Sequence, residues 1–310
     1  MSDTAFLFPG QGAQYTGMAA DLYEAFGAAR QVLDQANDVL GFDLKALMFT
    51  GAEDELRQTD ITQPALFAHS MAALAAMDDG ALRSMGAVAG HSLGEYSALA
   101  ASGALSFEDA LRLVRLRGEL MAQAGNRRRG SMAAILGLDD AAVETLCTDV
   151  SEPDSIVQAA NYNAPGQIVI SGDEAAVARA VEEAPARGAR RALALPVSGA
   201  FHSVLMDAAA GGLSEGLEKV DICTPRVPVF MNVTAEPTTD PDEIRRRLLE
   251  QLTSPVRWSH TLVRMQQAGI GSFVEVGAGR VLSGLVKRTL GRDAVTSARG
   301  RTEDYPREAS

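Results

Sequence analysis

Residues 87–103 read AVAGHSLGEYSALAASG, a short apolar run that meets Gly90-His91-Ser92-Leu93-Gly94 and continues as an alanine-rich helical pattern. This junction constrains the fold more than any other feature. A sharp turn from strand to helix leaves no room for side chains beside the turn residue. Glycines therefore flank the serine, and its Oγ is pushed out at the carboxyl edge of a sheet. The same succession of β-formers, Gly-rich turn and helical pattern recurs as AFLF before PGQGAQ and as SFVEV before GAGRVLSGLVKR. That rhythm predicts an α/β fold built on a parallel sheet with crossover helices. A G-x-S-x-G can also be a turn that merely packs a helix on a strand, so other residues must decide its chemistry.

From Gly130 to Val197 the order changes. The patterns predict a strand at 132–136, a helix at 141–148, strands at 156–161 and 167–171, a helix at 174–184 and a strand at 191–197. This β-α-β-β-α-β order predicts a ferredoxin-like insert, with linker-like GNRRRG and PVSGAFH at its edges. The expected organisation is a large domain formed by 1–129 and 198–310 and a small domain formed by 130–197. A chain of 310 residues can bury a substantial core. Only the last ten residues, RTEDYPREAS, are expected to fray.

Composition excludes several classes. No apolar run approaches the roughly 18 residues of a membrane span, and the start, MSDTAFLFPG, lacks the features of a signal or transit peptide. A soluble, cytoplasmic protein without membrane contact is expected. Cys147 and Cys223 lie far apart in no C-x-x-C pattern, which argues against a disulfide framework or a thiolate metal site. A net charge of −12 disfavours nucleic acid as a partner. Arg127–Arg129 and Arg245–Arg247 are either solvated faces or docking points for an anionic ligand or acidic partner.

A serine hydroxyl needs a base, usually histidine, and the chain has four. The ring of His91, beside Ser92 on a tight turn, should project elsewhere; His69 and His260 read as packing or surface residues. His202 remains, in PVSGAFHSVLM after a predicted strand, and is the expected base. No acidic residue in an evident turn follows to orient its second ring nitrogen, so a backbone carbonyl could serve. The Leu93 N–H and a donor at Gln11 in the first Gly-rich turn are the expected oxyanion donors. In SFEDALRLVRLRGELMAQA, with Ser106 as N-cap, Ala110, Leu113, Val114, Leu120, Met121 and Ala124 share one face with Arg117 at its centre. Arg112, Arg115 and Glu119 point elsewhere, as ordinary solvated charges. A guanidinium on an apolar face implies an anion to meet it, and spacing alone favours a partner within the protein over a substrate.

Together these residues resemble the malonyl-CoA:acyl-carrier-protein transacylases and the related acyltransferase domains of polyketide synthases. Seven stretches in family order carry the resemblance: FPGQGAQ, GHSLGEYSAL, LRGELM, NYNAPGQIVISG, GAFHSVLM, SPVRW and EVGAGRVLSGLVKR. The resemblance implies an α/β-hydrolase-like large domain with a ferredoxin-like small one. It makes Ser92 a nucleophile that becomes malonylated, His202 its base, and the Gln11 and Leu93 N–H groups the oxyanion hole. Arg117 becomes the receptor of the free malonyl carboxylate, which reverses the spacing-based preference. Met121 and Phe201 become acyl-pocket walls, Phe201 in a malonyl-selecting form. Asn163 becomes a substrate-side contact, and Gln251 a residue whose main-chain carbonyl orients His202, a role that tolerates side-chain change.

The implied function is ping-pong transfer of a malonyl group from malonyl-CoA to the phosphopantetheine thiol of an acyl carrier protein in fatty acid biosynthesis. No metal and no tightly bound cofactor are expected, and a monomer is. The carrier is expected to meet a local basic surface, at Arg127–Arg129 or at Lys287 and Arg288. A discrete acyltransferase serving a polyketide synthase fits the same residues. A serine esterase or thioesterase fits the nucleophile but leaves Arg117 unexplained, and a non-catalytic carrier-binding module fits least.

Overall fold

The computed structural model describes residues 2–197 and 199–306. Its strands are β1 (Thr4–Phe8), β2 (Met85–Gly90), β3 (Gly130–Leu136), β4 (Val157–Ala164), β5 (Gln167–Asp173), β6 (Arg191–Ala194), β7 (Val229–Phe230), β8 (Pro237–Thr238), β9 (Ser272–Val276) and β10 (Val295–Arg299). One sheet has the order β10-β9-β1-β2-β7-β8, the other β4-β5-β3-β6.

In the first sheet β1 pairs in parallel with both β2 and β9, and only β7–β8 is antiparallel. Helices cover both of its faces. Alternation along β1 sends Phe6 and Phe8 into one apolar core and Ala5 and Leu7 into another, the pattern of a parallel strand buried on both sides. Parallel strands all present their carboxyl ends at one edge, so the turns after β1 and β2 meet there.

In the second sheet every neighbouring pair is antiparallel, as the ferredoxin-like order requires. The Asp140–Val150 and Glu174–Glu183 helices bury Leu146 and Val177 with Ile135 and Ile170 on one face. Met132 and Val169 on the other face join the main core of the large sheet. The fold is therefore α/β with a ferredoxin-like insert packed over the carboxyl edge of the parallel sheet. β4 runs on to Ala164, beyond the expected 161, because its outer edge is not left free: the Tyr162 N–H donates to Val256 O at 2.9 Å and the Val256 N–H to Ala160 O at 2.8 Å. β6, conversely, ends at Ala194 rather than 197.

The expected fraying is overturned for residues 301–306. Thr302 donates to Asp21 Oδ2 through both N–H and Oγ, and the Tyr305 hydroxyl, on a residue only 8% exposed, donates to Ala73 O at 2.6 Å. One apolar ring with a satisfied hydroxyl thus holds a polar segment down. Residues 307–310 of that expectation, and Ser198 at the expected domain edge, lie outside the described residues. Among the described residues no helix is long and apolar enough to cross a membrane.

Candidate active site

Ser92 sits at the end of β2 with φ at 52°, in the left-handed region. A non-glycine residue rarely holds that conformation unless its surroundings impose it. The flanking glycines show how tight the turn is: a Cβ on Gly90 would lie 1.8 Å from the Gly94 carbonyl carbon, and one on Gly94 2.1 Å from Phe8 O. The first Gly-rich turn closes on the same point, since a Cβ on Gly10 would stand 2.3 Å from His91 O. Those contacts bring Gln11 beside the serine.

His202 is the second residue of the site in the left-handed region, with φ at 57°. Its Nε2 lies 2.7 Å from Ser92 Oγ and its Nδ1 2.9 Å from the main-chain carbonyl of Gln251. A carbonyl can only accept, so Nδ1 carries the proton and Nε2 is free to accept the serine's. Burial first, and the Arg117 charge second, push the His202 pKa down to about 3. The ring is neutral at physiological pH. Among the described residues neither the Leu93 N–H nor the Gln11 N–H donates to another protein group, and both residues line the cavity over Ser92.

Arg117, in the Phe107–Arg127 helix, is 1% exposed. It donates from Nη1 to Gln63 Oε1 at 2.8 Å and from Nη2 to Gln251 Oε1 at 2.9 Å and Ser92 Oγ at 3.0 Å. All three acceptors are neutral, and its Nε has no partner. The guanidinium lies 5.8 Å from the Tyr96 ring centroid. The internal carboxylate that spacing favoured is therefore not in contact. The acidic side chain of buried Glu95 stands behind Gln251, whose Nε2 donates to Glu95 Oε2. Burial pushes the Glu95 pKa up to about 8, against donors that face both of its oxygens.

The cavity of about 200 Å³ is walled by Met121 and Phe201. That is below the roughly 300–1,000 Å³ of pockets that engulf a whole ligand, so it suits a short acyl group whose remainder extends outward. Asn163 lines it too, its Oδ1 accepting from His91 Nε2 at 2.8 Å. Every residue singled out from the sequence as a site residue thus meets here. The other histidines lie apart: His69 donates to Gly300 O at 2.8 Å in the core, and His260 faces Asp140 at 3.3 Å outside.

Some functional neighbours escaped sequence reasoning. Asn232 accepts from the Ser92 N–H at 2.7 Å and donates to Gly90 O at 2.7 Å, tying the serine turn to the loop after β7. An Asn inside FMNVT was its only signal. Gln63 was hidden in a helix whose residues are mostly buried. The Gln251 side chain, expected to be replaceable, is buried and bridges Arg117, Ser92 O and Glu95. Arg115 is not merely solvated but binds Asp60 O at 2.6 Å and Glu119 at 2.6 Å. Among the basic clusters, Arg128 pairs with Asp173 at 2.8 Å, and Arg246 and Arg247 pair with Glu243 and Glu250 on their own helix.

A serine turn, a neutral histidine on its Oγ and two open N–H groups form the equipment of a serine acyltransferase or hydrolase. The chain belongs to the family described as the acyl transferase domain, whose model matches residues 5–302. It is 48% identical over 288 residues to the malonyl CoA-acyl carrier protein transacylase of Bacillus subtilis (strain 168), covering 93% of this chain and 90% of that protein. An acyl carrier protein S-malonyltransferase from Vibrio cholerae superposes with a TM-score of 0.94 at 42% identity, covering 98% of each chain. A malonyl-transacylase solved in complex with its type II polyketide synthase acyl-carrier protein gives 0.92 at 42% identity, over 98% of this chain and 97% of that one. Among the described residues no group of three His, Cys, Asp or Glu side chains is placed to hold a metal ion.

Proposed function

We propose that this protein moves a malonyl group from coenzyme A to the phosphopantetheine thiol of an acyl carrier protein through a malonyl ester on Ser92. The observation that carries the reading is Arg117: a buried cation 3.0 Å from the serine Oγ, bonded to neutral groups. A carboxylate on the acyl group supplies the anion that such a cation requires.

Neutral His202 takes the Ser92 proton as Oγ attacks the thioester carbonyl. The Gln11 and Leu93 N–H groups hold the oxyanion, and His202 returns the proton to the departing CoA sulfur. The carrier's thiol then attacks the ester by the same steps in reverse. Pairing with the malonyl carboxylate cancels the Arg117 charge that helps depress His202, so the base strengthens when the right acyl group is seated. Met121 and Phe201 bound the acyl group and Asn163 contacts the donor's extension. We assign no resident cofactor, a monomeric state and a cytoplasmic location in fatty acid synthesis. Lys287 and Arg288, or Arg127 and Arg129, meet the carrier; unchanged carrier kinetics after charge reversal at both clusters would remove that assignment. The similarity to a polyketide synthase transacylase favours a second carrier for the same chemistry. Intact-protein mass after brief mixing with malonyl-CoA tests the reading. A malonyl adduct on Ser92, discharged by added carrier, is expected; release of free malonate without transfer would mark a hydrolase.

A further inference from the structure

We propose that Glu95 is a positioning residue for acyl selection: through the Gln251 amide it holds the Arg117 guanidinium against Ser92. The inference rests on the reading of Arg117 as carboxylate receptor. Glu95 follows the serine turn directly but takes no part in the chemistry above. Its carboxyl is fully buried with donors at both oxygens, the Asn232 N–H at 2.8 Å from Oε1 and Gln251 Nε2 at Oε2. The second contact decides which way the Gln251 amide faces. With Nε2 toward Glu95 and Ser92 O, Oε1 must point at Arg117 Nη2, 2.9 Å away. The reverse orientation would set an NH₂ against a guanidinium N–H and a carbonyl against two acceptors. Arg117 Nη2 is the same nitrogen that reaches Ser92 Oγ. The chain of contacts from Glu95 thus ends at the atom that meets the acyl group.

Glu95→Gln isolates this role. Its Oε1 can still accept from Asn232, which preserves the link to the serine turn, but its NH₂ faces the Gln251 NH₂. Gln251 must flip or withdraw, and Arg117 loses its anchor. Rates of Ser92 acylation by malonyl-CoA and by acetyl-CoA, read by intact-protein mass, give the test for wild type, Glu95→Gln, Glu95→Asp and Arg117→Ala. Glu95→Gln is expected to slow malonylation about tenfold or more, the effect of one buried donor left facing another. Acetylation, which offers Arg117 no carboxylate to meet, should stay within about twofold. Glu95→Asp keeps the carboxyl on a shorter arm and should fall between; it decides alone if the Gln variant does not fold. Equal loss with both donors, or no loss, would overturn the proposal. If Arg117→Ala retains the malonyl preference, the receptor reading itself fails and this inference with it; if only the Glu95 variants retain it, the inference alone fails.

Discussion

Two turns in this molecule have nearly the same sequence logic and opposite uses. After β2, Gly90 and Gly94 frame Ser92 before the Gly94–Ser102 helix; after β9, VGAGRV leads into the Val281–Leu290 helix. In the second the helix start is closed by the protein itself. Glu275 at the end of β9 accepts from the Leu282 N–H at 2.9 Å and from both the N–H and Oγ of Ser283 at 2.7 Å. In the first the Leu93 N–H has no partner among the described residues. The carboxylate nearest in sequence, Glu95, turns away toward Asn232 and Gln251. A helix start left open can bind a developing oxyanion, whereas one already holding a carboxylate only stabilises the fold. The difference lies in what occupies the turn, not in the turn.

That comparison can be broken most severely at the serine. Ser92→Ala should reduce acyl transfer by about 10⁶-fold, with no adduct in the intact mass and a folded protein by circular dichroism. Arg117→Ala should slow malonyl transfer by about 10²–10³-fold, the cost of leaving a buried charge without its partner. Transfer of acetyl groups should be spared, as competition between the two donors will show. Glu275→Ala sharpens the contrast from the other side. Losing the acceptor for one helix start should cost about 1–2 kcal/mol in denaturant unfolding, with the ratio of malonyl to acetyl transfer unchanged.

The smallest effect per step is a pH effect. Burial holds His69 down to about 4 and His202 to about 3, from an ordinary 6.5. Both shifts are downward, so their contribution is complete above pH 6.5 and lost as pH falls. In that range the unfolded chain takes up protons that the folded one refuses. Each histidine should remove at most about 1.4 kcal/mol per pH unit, down to about pH 4 for His69 and about pH 3 for His202. Glu95, held up to about 8 from an ordinary 4.5, acts with the opposite sign over the same range and offsets about one histidine. Urea unfolding midpoints should therefore change little from pH 7 to 6 and fall from pH 6 to 4, and His69→Asn should make that fall shallower.

Where information was local, the sequence could be read. The serine turn is a steric statement about five consecutive residues. The order of the small domain follows from alternation and helical periodicity within about 65 residues, and its expected elements match the observed ones to within three residues; the largest differences are the end of β6 and the end of β4, which pairing with the Val256 segment lengthens. Arg117 could be flagged because a charge on an apolar helix face is anomalous wherever it occurs. Its partners could not be, since Gln63 is 54 residues away and Gln251 134. Neither carries by itself a pattern that distinguishes it from other glutamines; Gln251 entered only through the family resemblance, for its main-chain carbonyl and not for its amide. Asn232, 140 residues from Ser92, is equally silent.

The sequence by itself determined that a serine would stand on a strand-to-helix turn at a sheet edge, and that an arginine on a helix face would need company. Both follow from excluded volume and desolvation, which act between neighbours and recur at a fixed period. Only the tertiary structure decided that this company is three neutral groups, with Glu95 held one residue back behind Gln251. The physical reason is that hydrogen-bond partners are chosen by position in space. The loop after β6, the loop after β7 and the end of the Pro241–Glu250 helix bring His202, Asn232 and Gln251 to one carboxyl edge from distant parts of the chain, and no local spacing encodes that meeting.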